Sequence, residues 1–391
     1  MIPASKSDPH RPIDATGVRG AQVLMGCDTL EPTLSFFTQR LGFRIDAIFP
    51  ADDPATAMIS AYGLQIRLVR GATQGVGVLY LLCDDPQLTA AGKTGRNREG
   101  VAVGEGAEAV LTAPNGVIVK FVAADPPMKT PVTRQALVFT HATKDDHWGV
   151  GRAGLRYRDL LPDRHGGAFI ASHIQVLDGG PVPDYVHFHK IRFQAIFCRK
   201  GWVKVVYEGQ GAPFDMHAGD CVLQPPMIRH RVLESSAGAE VIEIGGPAEH
   251  ITMADHSLTL PSPDLPANHD FGGQRFVRHI AANATWGPWR IAGFEASDTG
   301  IAQATDGLAG IRVVRPNATA VDRLQHHDTE FCFYFVLSGS LTLQCNGASH
   351  PMGVDDSVTI PGGMAYGLTQ TSADLTLLEI TLPAQFHTAQ P

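Results

Sequence analysis

Charge is scarce in this 391-residue chain. Asp, Glu, Lys and Arg together make up 18% of it, the formal net charge is -8, and no long basic run occurs. A surface that tracks phosphates is thereby excluded, and nucleic acid is not an expected partner. None of the six cysteines, Cys27, Cys83, Cys198, Cys221, Cys332 and Cys345, forms a CxxC pair. Most lie inside apolar runs such as QAIFCRKG and FCFYFVL, so buried thiols in a reducing compartment are expected. No uninterrupted apolar run is long enough to span a bilayer. The opening MIPASKSDPHRPIDATG lacks the apolar core of a secretory leader. A cytoplasmic protein with no membrane partner is the expectation.

What the chain does have is glycine (41), proline (27) and 44% hydrophobic residues. That favours turn-rich β architecture over a helical bundle, and the length predicts two or three domains. Three segments emerge. In the first, about 18–124, VRGAQVLMGCDT reads as a strand. EPTLSFFTQRLGF has apolar residues at helical spacing (Leu34, Phe37, Leu41) and reads as a helix. DAIFPADDPATAMISAYGLQIRLVRG gives two or three strands and VGVLYLLC another. LTAPNGVIVKFV reads as a hairpin turning at Asn115-Gly116. The order strand, helix, three strands predicts a paired βαβββ fold. A proline-bearing linker, AADPPMKTPVTRQ, follows. The second segment, 136–250, and the third, 270–388, look like copies of one β unit. HFHKIRFQAIFCRKG lies over QHHDTEFCFYFVLSG, ending at Gly201 and Gly339, and GDCVLQPPMIRH lies over DDSVTIPGGMAY. Two small barrels are the predicted result.

The second segment carries the chemistry. Side chains alternate faces along a strand, so His187 and His189 point the same way. Gln194 sits at an odd offset from His189 and joins them only if the chain turns near Lys190–Arg192 and returns on a neighbouring strand. Pro225-Pro226 breaks a strand ahead of His230. Two histidines, a glutamine and a distant histidine after a proline turn form a metal-ligand pattern, and imidazole suits Fe, Zn, Cu and Ni. Tyr185, Arg192 and Arg229 flank the ligands as catalytic candidates, with a surface or packing role the leading reading of each. Arg229 has the fork to clamp a carboxylate. His173 and Gln175 share one strand face, which either lines the same cavity or faces solvent.

Two resemblances extend this reading. The first segment resembles the glyoxalase/bleomycin-resistance (vicinal oxygen chelate) family through CDTLEPTLSFFTQRLGF and APNGVIVKFV. That family places a histidine on its first strand and a glutamate near the end of its last. Those places fall here on Ala21 and Lys120, and Gln65 does not ligate alone, so no metal is expected there. A gate, a substrate-binding lobe and a homodimer surface are the roles left to it. The second segment resembles a cupin. Gly180, His187, His189, Gln194 and Gly201 fill the first cupin motif. Gly219, Pro225, Met227 in a glycine's place and His230 fill the second. The implied fold class is mainly β: two cupin double-stranded β-helix barrels preceded by an α+β domain. The resemblance implies one divalent metal in the first barrel, Fe(II) favoured with Ni, Mn or Zn as alternatives, on His187, His189 and His230, with Gln194 either a fourth ligand or a hydrogen-bond partner of metal-bound water.

Gln194 stands where cupins usually carry glutamate. An amide oxygen is neutral, so the ion keeps its full charge and favours a small anionic, chelating substrate. Ring-cleaving bicupins of the gentisate dioxygenase type share such a site, so an O2-dependent dioxygenase leads. A metal-dependent isomerase, lyase or hydrolase, or a non-enzymatic binding protein, is the alternative. In the third segment, His187, His189, Gln194 and His230 map to Gln325, His327, Cys332 and Tyr366. A degenerate site is therefore expected there, unless a shifted register gathers His326, His327 and Glu330.

Overall fold

A computed structural model describes residues 17–390, apart from 36, 39–41, 62, 73–77, 94–101, 104–108, 113–117, 145–146, 152–153, 267 and 318–322. The expected turn at Asn115-Gly116 and the helical position Leu41 lie outside the described residues. The chain divides into two compact units, one of Met1–Ile48 and Ala55–Pro127, the other of Phe49–Pro54 and Met128–Pro391.

In the first unit, strand Val18–Cys27 is followed by helix Leu30–Ser35 and strands Arg44–Phe49, Thr56–Ala61 and Leu64–Arg70. Strand Val78–Cys83, helix Pro86–Lys93 and strands Ala102–Val103, Ala109–Thr112 and Ile118–Ala123 repeat that order. The first helix is shorter than its apolar spacing predicts, and the second was not assigned from the sequence. Val18–Cys27 runs parallel to Leu64–Arg70 and antiparallel to Val78–Cys83, which runs parallel to Ile118–Ala123. Leu30 and Leu34 of the first helix bury against Ala57, Ile59, Ile66 and Leu68 on one sheet face. The other face carries Gln22, which donates to Gln65, with Arg67 and Lys120 over the Tyr80 ring.

The regular structure of the second unit is almost entirely strand. Its centre is a pair of seven-stranded sheets. Period-two alternation decides what each face does. Phe193, Ala195 and Phe197 of strand Phe193–Lys200 join Phe331, Phe333 and Phe335 of strand Phe331–Ser338 in one core between the sheets. Phe169 stacks on Phe331 with centroids 4.3 Å apart. The alternate residues turn inward. Cys198 packs in one barrel interior, and Cys332, Tyr334 and Val336 pack in the other.

The repeat is visible in the turns. Gly201 and Gly339 have φ of 69° and 70°. A Cβ at Gly201 would lie 2.3 Å from Ser236 Oγ, and one at Gly339 2.4 Å from Ser372 Oγ. A left-handed backbone in so tight a corner admits only glycine. The repeats also exchange strands. Val138–Thr140, ahead of the first barrel, pairs with Ser357–Thr359 of the second. Val277–His279, ahead of the second, pairs with Cys221–Leu223 of the first.

Candidate metal centre

Strand His187–Lys190 ends at the Ile191-Arg192 break, and the next strand, Phe193–Lys200, belongs to the other sheet of the barrel. That is the turn Gln194 needs in order to return toward the histidines. His187 faces His230 directly across an antiparallel bridge, and His189 faces Thr252. A donor nitrogen from each of His187, His189 and His230 falls within 4.8 Å of the others, and all three residues are buried. It is the one group of metal-ligating side chains that meets this geometry among the described residues.

The outer nitrogens fix the rings. His187 Nδ1 lies 2.8 Å from the Tyr185 carbonyl, with Asp184 Oδ1 at 3.6 Å. His230 Nδ1 lies 3.0 Å from the Ile228 carbonyl. A carbonyl only accepts, so Nδ1 carries the proton and the lone pair sits on Nε2. His189 Nδ1 lies 3.0 Å from Thr252 Oγ1, a hydroxyl able to accept from it and so to leave Nε2 free in the same way. Such outer contacts orient ligand histidines and raise their basicity. Tyr207 stacks on His230, centroids 5.5 Å apart. Its burial, with Cys221 and Glu243 nearby, pushes the phenol well above its usual range although Gln224 donates to its oxygen.

Gln194 is 1% exposed. Its Nε2 donates to Glu243 Oε1 at 2.5 Å, and its Oε1 is buried with no hydrogen-bond partner. An orphaned buried carbonyl oxygen is costly, and a cation or a bound water in the cup satisfies it. The three converging imidazoles fit a divalent ion. Met227, in the motif's glycine position, has a φ of 67°, and its N–H donates to the His189 carbonyl at 3.0 Å.

The flanking candidates separate. Tyr185 stays beside the triad, partly buried, its ring 5.9 Å from that of His187. Arg192 is drawn away: its guanidinium grips both Glu330 oxygens, at 3.1 and 3.2 Å, on the other barrel. Arg229 alternates outward from His230, pairs with Asp255 at 3.2 Å and covers the Phe188 ring. His173 and Gln175 do not line the cup with the ligands but converge on Glu240. His173 also accepts from Arg158 and packs edge-on against Phe335 and Trp148. Sequence reasoning missed Glu243, Thr252, Tyr207 and His250. The His250 ring lies 5.2 Å from that of His189. In the second barrel the isolated bridge Gln325↔Tyr366 stands where His187↔His230 stands in the first. Glu330 is held by Arg192 and Thr133, away from a shifted ligand set.

A family model described as "Cupin domain" matches residues 310–381. That stretch of the chain is similar to a cupin domain. The match covers the second barrel, whereas the histidine triad lies in the first. No curated protein sequence matches the chain. A salicylate 1,2-dioxygenase variant from Pseudoaminobacter salicylatoxidans, in complex with gentisate, superposes with a TM-score of 0.51 at 13% identity, covering 67% of this chain and 87% of that one. Another structure of that variant gives 0.50 at 14% identity, covering 67% and 89%. Oxalate decarboxylase from Bacillus subtilis gives 0.47 at 12%, covering 68% and 81%. At these identities the likeness to the dioxygenase is one of fold alone.

Proposed function

We propose that the protein is a metal-dependent cupin enzyme, an Fe(II) dioxygenase acting on a small anionic, chelating compound of enolisable or hydroxyaromatic type. The observation that carries this is the buried triad His187, His189 and His230, with a neutral amide where a carboxylate would cancel charge. The fold shared with a dioxygenase that binds gentisate supports it. Iron(II) held there would supply Lewis acidity toward an anionic chelate and a redox centre for O2 chemistry. The chain's own part is positional. Tyr185 O, Ile228 O and Thr252 Oγ1 hold the three rings, and Glu243 aims the Gln194 oxygen by holding its amino group. Tyr185, at the rim, is the side chain we assign to substrate contact.

On this reading 136–250 is the metal-bearing cupin and 270–388 the degenerate one. The first unit is a vicinal-oxygen-chelate-like lobe, supported by its twofold βαβββ order. Six buried cysteine thiols support a reducing, cytoplasmic setting. The test is elemental analysis of anaerobically purified protein, then oxygen uptake with gentisate and salicylate as probes. One iron per chain, lost in His230→Ala, and O2 consumed with ring cleavage are expected. Turnover that ignores O2 removes the dioxygenase and leaves the lyase or isomerase alternative; wild-type protein that retains no divalent metal removes both.

A further inference from the structure

The second barrel has replaced its ligands, yet it reaches back to the first barrel's candidate metal centre. Arg192 and Glu330 stand 138 positions apart, the same spacing that separates Gln194 from Cys332 and Gly201 from Gly339. They hold one place in the two repeats. Each follows a short histidine-bearing strand, His187–Lys190 or His326–His327, and each precedes a phenylalanine, Phe193 or Phe331, of the shared core. In identical repeats a charge at this place would meet its like across the interface. Here the two differ in sign and pair.

The pairing is a fork. Arg192 Nη1 and Nη2 donate to Glu330 Oε1 and Oε2 at 3.1 and 3.2 Å. Thr133 Oγ1 donates to the same carboxylate at 2.6 Å. Burial pushes the Glu330 carboxyl up, but donation from Arg192 and Thr133 outweighs it and holds the group below its usual range. The backbone of Arg192 is held as well. Its N–H donates to the Gly246 carbonyl at 2.8 Å, and its carbonyl accepts from Gln274 Nε2 at 2.6 Å. Arg192 forms the corner between His189 and Gln194, where the chain leaves one sheet of the barrel for the other. Gly246 ends the strand whose Glu243 holds the Gln194 amide. The corner is thus tied to its own barrel by Gly246, to the connection between barrels by Gln274, and to the second barrel by Glu330.

We propose that the Arg192–Glu330 fork is a positioning device through which the second barrel sets the geometry of the first barrel's metal centre, by fixing the corner that keeps His189 and Gln194 in register. The inference rests on the metal centre proposed above.

The probe is cobalt(II), titrated into the metal-free full chain, with affinity and the visible absorption of the bound ion as readouts. Glu330→Gln and Arg192→Gln each remove the charged fork and leave the backbone bonds of residue 192 in place. Each should weaken cobalt binding about fivefold, less than the roughly tenfold or more that a direct partner of a ligand ring is worth. At saturating cobalt the absorption should also shift, since it follows ligand geometry and a mere loss of stability would not move it. The double variant should be no weaker than the weaker single variant, because both remove one contact. Asp355→Asn is the control. It breaks a second ion pair between the barrels, Arg199 Nε to Asp355 Oδ1 at 2.9 Å, whose Arg199 lies past Gln194 toward the other end of strand Phe193–Lys200. Asn tolerates the φ of 67° at that position. Affinity and absorption should stay those of the wild type. Wild-type affinity and absorption in both fork variants, or an equal change in Asp355→Asn, overturns the proposal and leaves the metal centre standing. A wild type that takes up no cobalt removes the centre and this inference with it.

Discussion

Gln194 shows best what one residue decides. In the sequence it was a departure from a motif, legible because the HxH spacing and the proline turn before His230 are local patterns. What was not legible was Glu243, 49 positions away, which meets Gln194 only through the pairing of Phe193–Lys200 with Ala239–Gly246. That contact reverses the simplest design intuition. Gln194→Glu would bring the motif back to its usual residue but set two carboxylates against each other in a buried site. They cannot both ionise at such a distance, so one proton is retained. We expect the chelator-treated variant to lose about 2–4 kcal/mol at pH 7. A carboxyl kept protonated only when folded is penalised above its unfolded pKa, so the deficit shrinks as pH falls toward 4. Adding Glu243→Gln exchanges the two partners and should recover most of the loss. Urea midpoints at pH 7 and pH 5 measure both effects. A deficit that is the same at both pH values, or no recovery in the double variant, would mean that the two side chains do not share the contact.

At the scale of elements, strands predicted from alternation are present, but their partners are not those that sequence order suggests. Val138–Thr140 closes the second barrel's sheet and Val277–His279 the first's, because each repeat donates its leading strand to the other. The hydrogen-bonding edges of a strand carry no mark of their partner in the sequence, so the exchange was invisible. Deleting residues 128–140 should therefore open the second barrel. Amides of Ser357–Thr359 should exchange at least about 100-fold faster, while those of Cys221–Leu223 stay protected. Faster exchange in the first barrel alone would contradict the exchange of strands. A second element-scale effect lies between strands Ile170–Val176 and Ala239–Gly246. The His173 hydrogen bond outweighs burial and holds the Glu240 carboxyl down at about 2. Its folded pKa lies below the unfolded value near 4.5, so the unfolded chain binds the extra proton. The stabilisation is full above about pH 5 and fades as pH falls toward 2. Glu240→Gln should cost about 2 kcal/mol at pH 7 and flatten the acid limb of the stability curve, read from denaturation midpoints between pH 7 and pH 3.

For the whole molecule, the question is what one ion in one barrel does to two. The duplication was readable from Gly201 and Gly339, and the loss of ligands from the residues at 325, 332 and 366. The shared interior was not, because phenylalanines at 193, 197, 331, 333 and 335 would serve equally well inside separate barrels. The structure joins them in a single core with Ile242, Ile244, Leu378 and Ile380, so neither barrel unfolds without exposing the other's inner sheet. Binding at His187, His189 and His230 should then stabilise residues 128–390 as one cooperative body. With free metal at about 1,000 times its dissociation constant the gain is about 4 kcal/mol, which for a body of this size raises its Tm by about 10 °C. Protons compete for imidazoles whose ordinary pKa is near 6.5, so the increment should shrink below pH 6 and vanish near pH 5. Calorimetry with and without chelator should show one transition moving as a whole in the wild type and standing still in His230→Ala. Should the first barrel's transition move while the second's does not, the common core does not couple them.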